Sequence, residues 1–120
     1  MKIRLILILI AAMLSACSNK DIKNDSEIAI GASSPPQLWS FHKNLELAVD
    51  VCALRGYRAL KSLGYSSVVQ NGNYSYGNFR DNRAAVKCVE VANGSFVYLA
   101  VAGPVKNVVE KLRNEIARKY

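Results

Sequence analysis

Between Arg83 and Ala102 the chain reads RAAVKCVEVANGSFVYLAVA, two stretches rich in Val, Ala and aromatic residues on either side of Asn93-Gly94. Asn-Gly readily takes the positive φ angles of a type I′ turn, so the pattern predicts an antiparallel hairpin. A turn at that dipeptide pairs Ala92 with Ser95, Val91 with Phe96, Val89 with Tyr98, Cys88 with Leu99 and Val86 with Val101. The two-residue period of a strand then sorts the side chains into faces. One face carries Val86, Cys88, Val97, Leu99 and Val101; the other carries Lys87, Val89, Val91, Phe96, Tyr98 and Ala100. Both faces are apolar.

Upstream the period changes. Phe41, Leu45, Ala48, Cys52, Gly56, Ala59 and Leu63 recur at steps of three and four, which predicts a long helix to about Leu63. Ser34-Pro35-Pro36-Gln37 has the form of a capping box with proline in the first turn. Small residues at Ala48, Cys52, Gly56 and Ala59 let this helix approach a sheet closely, while Leu47, Val51 and Leu54 widen its apolar stripe. Gly64 supplies a left-handed C′ residue, with Tyr65 folding back over Leu60 as in a Schellman ending.

Ser66 to Gln70 predicts a short strand, Asn71-Gly72 a second turn, and Asn73 to Arg80 a weaker strand with Gly77 at a bulge. A turn at Asp81-Asn82 pairs Arg80 with Arg83, which sets Tyr76 opposite Lys87 and Tyr74 opposite Val89 and puts both tyrosines on the second face. Gly103-Pro104 ends the last strand and starts a helix whose Val105, Val108, Val109, Leu112 and Ile116 form one stripe. The predicted class is α+β: a two-layer sandwich of a long N-terminal helix, three or four antiparallel strands and a C-terminal helix.

The beginning of the chain follows another logic. Lys2 and Arg4 precede an apolar run from Leu5 to Met13, and Leu14-Ser15-Ala16-Cys17 follows it. These are the charged, apolar and small-residue zones of a secretory signal, and the apolar run is too short for a mature membrane span. Leu14-Ser15-Ala16-Cys17 resembles the lipobox of bacterial lipoproteins. The resemblance implies diacylglyceryl transfer to the Cys17 sulfur, cleavage before Cys17 and acylation, as by palmitate, of the new amino terminus. Ser18 stands where an Asp would argue for inner-membrane retention in the enterobacterial pattern, so the resemblance implies an outer-membrane protein facing the periplasm. The expected organisation is residues 1–16 as signal peptide, 17–34 as lipidated terminus and flexible tether, and 35–120 as the folded domain. Within the tether, the alternation Ile28-Ala29-Ile30 offers an edge strand.

A chain of 120 residues with 51% hydrophobic and 21% charged content suits one globular domain. Its formal charge is +7; removing Lys2 and Arg4 from the 16 Lys plus Arg leaves 14 against 9 Asp plus Glu, still about +5. In an envelope compartment such a surface favours anionic lipid head groups or acidic polymers. The leader also removes nucleic acid from the expected partners.

Three cysteines are present, and with Cys17 taken by lipid the others make an even pair. Cys52 is on the helical stripe and Cys88 on the face that helices cover, which predicts a disulfide pinning helix to strand. There is no CxxC, HExxH, GxSxG or P-loop, and the single histidine, His42, sits beside Lys43 without an evident nucleophile. No enzyme activity, cofactor or metal is expected. Glu90 is a lone carboxylate at the rim of the hairpin.

The second sheet face remains. Tyr74, Tyr76, Arg83, Lys87, Phe96 and Tyr98 form an aromatic and basic platform suited to an envelope protein or an anionic envelope polymer. Burial against the tether or a homodimer through this face is the alternative. A different reading makes the chain an inhibitor of a secreted envelope hydrolase, acting through Asn71–Asn73 or Arg80–Arg83.

Overall fold

The computed structural model describes residues 34–120. The segments expected as signal peptide (1–16) and as tether up to residue 33, with Cys17 and the Ile28-Ala29-Ile30 alternation, lie outside the described residues. Five strands and two helices follow in the order β1 (Gln37–Leu45), α1 (Val49–Ser62), β2 (Ser66–Asn71), β3 (Tyr74–Phe79), β4 (Asn82–Val91), β5 (Gly94–Gly103) and α2 (Lys106–Ala117). The strands form one antiparallel sheet in the order β1-β5-β4-β3-β2. The α+β expectation holds at that level, with five strands rather than three or four.

The largest correction concerns Gln37–Leu45, expected as the opening of the long helix and found as a strand paired with β5 along its whole length. Phe41 and Leu45, four residues apart, share a face at a period of two as well as at 3.6, so the local pattern admits both readings. Long-range pairing decides between them: the strand fills the free edge of β5, and Trp39 and Phe41 turn onto the core. Arg113 holds this edge from α2. Its Nη1 donates to the Ser40 carbonyl at 3.2 Å, and its guanidinium carbon lies 5.6 Å from the Trp39 ring centre. The helix is therefore α1 alone. It ends as expected: Gly64 takes φ +83°, the Gly64 N–H donates to the Lys61 carbonyl at 3.2 Å, and the Tyr65 N–H donates to the Leu60 carbonyl at 3.1 Å.

Both long hairpins differ from expectation by a shift of two residues. Val91 pairs with Gly94, Val89 with Phe96 and Val86 with Leu99 around an Ala92-Asn93 turn. Likewise Phe79 pairs with Asn82, Tyr76 with Ala85 and Tyr74 with Lys87 around Arg80-Asp81. Neither Ala92 nor Asn93 has a positive φ, so the first turn is not type I′; the positive angle falls on Gly94 at +146°. Any Cβ there would collide with the Leu45 carbonyl oxygen, because β1 ends against this corner. A two-residue shift preserves parity, so every side chain keeps its predicted face. The bulge is also displaced: Gly77 pairs regularly with Ala84, and the irregularity lies in β2 between Ser66 and Val69, where Ser67 takes φ +51°.

Both helices cover the face bearing Val86, Cys88, Val97, Leu99 and Val101, all buried. Cys52, Ala53 and Leu60 enter this layer from α1, and Val109, Leu112 and Ile116 from α2. Val105 and Val108, expected in the α2 stripe, stay exposed. The disulfide between Cys52 and Cys88 crosses the layer, with a Cα separation of 6.1 Å. Core and staple both fall within residues 34–120, so this unit carries what it needs to fold by itself.

Two phenols close the ends of the layer. The Tyr120 hydroxyl donates to the Cys52 carbonyl at 3.3 Å, and burial pushes its pKa up to about 12 against a smaller opposing pull from Arg55. The Tyr65 hydroxyl is buried without a hydrogen-bond partner, and burial, helped by Glu115, raises it also to about 12. The folded state thus holds these protons more tightly than the unfolded chain does. Their stabilising contribution is whole below pH 10 and is lost as pH rises through 12. Absorbance titration should show two of the six tyrosines ionising near pH 12 in the folded protein and all six ionising near pH ~10 in urea.

Candidate functional site

No element of residues 34–120 covers the other side of the sheet. The register lays its outward side chains in rows across the strands. The central row runs His42, Tyr98, Lys87, Tyr74 and Asn71, from β1 through β5, β4 and β3 to β2. Beside it run Ser40, Ala100, Ala85, Tyr76 and Val69 on one side and Asn44, Phe96 and Val89 on the other. Arg83 stands in the next row with Ala102, Leu38 and Asn78. The six predicted platform residues, Tyr74, Tyr76, Arg83, Lys87, Phe96 and Tyr98, therefore share one face.

The rings are partly ordered among themselves. Tyr74 and Tyr76 are tilted at 44° with centres 5.4 Å apart, and the Arg83 guanidinium carbon stands 5.1 Å from the Tyr76 ring centre. Lys87 lies between Tyr74 and Tyr98 in the register; two strand spacings put those tyrosines about 10 Å apart at the backbone. Tyr98 is 43% exposed and Tyr74 38%, and Val89 is open beside them. No Asp or Glu occupies an outward position on any of the five strands. Glu90 has the opposite parity, pairs with Ser95 and is exposed near the turn end of the hairpin.

Sequence reasoning missed the contribution of β1. His42, placed in a helix by the three-and-four pattern, stacks on Phe96 with ring centres 5.7 Å apart and planes 28° from parallel. The alternation of Trp39, Phe41 and Leu45 with Leu38, Ser40 and Asn44 was the available signal for a strand. Leu38, 65% exposed, extends the apolar area at that edge.

A concavity lined by Asn44, Glu46, Val91 and Asn93 among others opens at the end of the sheet where β1 and the β4–β5 turn meet. His42 makes no side-chain hydrogen bond among the described residues, and no three His, Cys, Asp or Glu side chains gather there as metal ligands. Exposed rings interleaved with cations, with no acid among them, suit stacking and charge pairing with an anionic or amphipathic surface. The loops Asn71–Asn73 and Arg80–Arg83 lie at opposite ends of β3. Comparison with protein-family models, with curated proteins and with solved structures finds no match.

Proposed function

We propose that this chain is a lipid-anchored protein of the bacterial cell envelope, held through Cys17 on the periplasmic side of the outer membrane. Its domain acts by binding rather than by catalysis. The platform of Tyr74, Tyr76, Arg83, Lys87, Phe96 and Tyr98, enlarged by His42, receives an envelope protein or an anionic envelope polymer. The observation that carries this reading is the face that residues 34–120 leave uncovered: rings from β3 and β5 stand on either side of the cations Arg83 and Lys87 of β4, without a single carboxylate on the outward positions of the strands. The lipobox resemblance supports the location.

A photoreactive amino acid at position 98, activated in intact cells, tests the reading. A discrete adduct is expected, and Lys87→Glu should reduce its yield roughly tenfold, the effect of about 1.4 kcal/mol of lost charge complementarity. The same probe at Lys111, on the outer side of α2, should give no such adduct. Equal adducts from both positions, or none from position 98, would sink the proposal. Cys17→Ser should abolish palmitate labelling; labelling that persists would exclude Cys17 as the anchor site, and no labelling of the unaltered protein would exclude the lipid anchor.

A further inference from the structure

Helix α1 has a second stripe. Val51, Leu54, Arg55, Arg58 and Ser62 follow one another at helical spacing, displaced around the axis from the buried Cys52, Gly56 and Ala59. The apolar members were expected to widen the buried stripe, yet Val51 is 45% exposed and Leu54 39%. With Lys119 from the end of the chain, this stripe lines an open groove of about 390 Å³ on the helical side of the domain. No carboxylate lines it. Among the described residues the only ion pair joins Lys111 to Glu115, so Arg55, Arg58 and Lys119 are all without an acidic partner. Next to Lys119, the Tyr120 backbone oxygen accepts from Lys43 Nζ at 2.9 Å.

We infer that this groove docks the phosphate-bearing head group of an anionic phospholipid at a bilayer surface. Guanidinium groups match phosphate oxygens with paired N–H donors, and Lys119 adds a mobile point charge. Val51 and Leu54, at the N-terminal end of the same stripe, offer the apolar contact that a glycerol and acyl junction needs and a free phosphate does not. The groove is on the opposite side of the sheet from the tyrosine platform. A domain docked through α1 therefore presents the platform away from the bilayer. The inference does not depend on acylation at Cys17 or on what the platform binds.

The 34–120 domain, whose core and disulfide are its own, permits a test free of the leader. Sedimentation with vesicles of phosphatidylcholine and phosphatidylglycerol should carry the domain down at low salt; vesicles of phosphatidylcholine alone should not. Arg55→Glu with Arg58→Glu should weaken partitioning at least tenfold. Lys106→Glu with Lys111→Glu makes the same change in net charge on α2 and should leave it within about twofold. Leu54→Ser, which alters no charge, should weaken it severalfold. If the double Arg variant fails to fold by circular dichroism, Arg58→Gln with Lys119→Gln, at two exposed positions, should still show a severalfold loss. Equal losses from the α1 and α2 charge reversals would reduce the effect to diffuse attraction and overturn the site. So would unaltered binding by Leu54→Ser, or release of the domain by inorganic phosphate more effectively than by sodium chloride of equal ionic strength.

Discussion

Replacing Cys52 and Cys88 together by alanine is expected to destabilise the domain by about 3 to 4 kcal/mol, the loop-closure entropy returned to an unfolded chain freed of a cross-link across a separation of 36 residues. For a domain of this size that is a fall in Tm of roughly 15 to 25 °C. The bond joins the middle of α1 to β4, and its half-cystines are 0% and 2% exposed. Reductant consequently has no direct access, and the rate of reduction of the folded protein should track opening of the helical layer. Urea unfolding with and without the pair measures the first effect, and thiol appearance at increasing urea the second. A loss below about 1 kcal/mol would mean that the unfolded chain gains little freedom from losing the bond. Fast reduction without urea would mean that α1 lifts from the sheet on its own.

Gly56→Ala should destabilise by about 1 to 3 kcal/mol, a sign opposite to that of the same change on a solvated helix, where alanine stabilises by about 1 kcal/mol. The reason is the closeness of α1 to β4. A Cβ on residue 56 would stand 2.9 Å from Val86 Cγ1 and 2.7 Å from the Tyr120 hydroxyl. Val86 is 2% exposed and fixed in the sheet, so it cannot give way cheaply. Adding Val86→Ala should return part of the loss, and the two substitutions should be non-additive by about 0.5 kcal/mol or more. Stabilisation by Gly56→Ala alone would show that the helix can move outward at little cost.

How much of this was legible beforehand depends on whether the deciding interaction is local. The parity of Val86, Cys88, Val97, Leu99 and Val101 is a property of any strand, and it survived a two-residue error in register because an even shift leaves faces unchanged. The disulfide followed from two local periods that point Cys52 and Cys88 into one layer. The register was less accessible. The Ala92-Asn93 turn is set partly by Leu45, distant in sequence, whose carbonyl oxygen occupies the space beside Gly94.

The candidate site divides along the same line. Tyr74, Tyr76, Arg83, Lys87, Phe96 and Tyr98 come from consecutive hairpins, so alternation alone groups them. His42 reaches the same face only because β1 pairs with the far edge of β5, a contact between segments far apart in the chain. The exposure of Val51 and Leu54 was equally hidden, since the width of the buried stripe on α1 depends on where the sheet beneath it ends.

By itself, then, the amino-acid order determined which stretches alternate, which side chains share a face, and that helix and hairpin are joined by Cys52 and Cys88, because each follows from backbone periods of a few residues. Tertiary structure alone decided that Gln37–Leu45 is an edge strand, that the sheet has five strands, and that no element among the described residues covers the ring-bearing side. Those outcomes rest on hydrogen bonds and packing between distant segments. Such contacts form only when the assembled sheet offers a free edge and a face to cover, and no local window of sequence contains that offer.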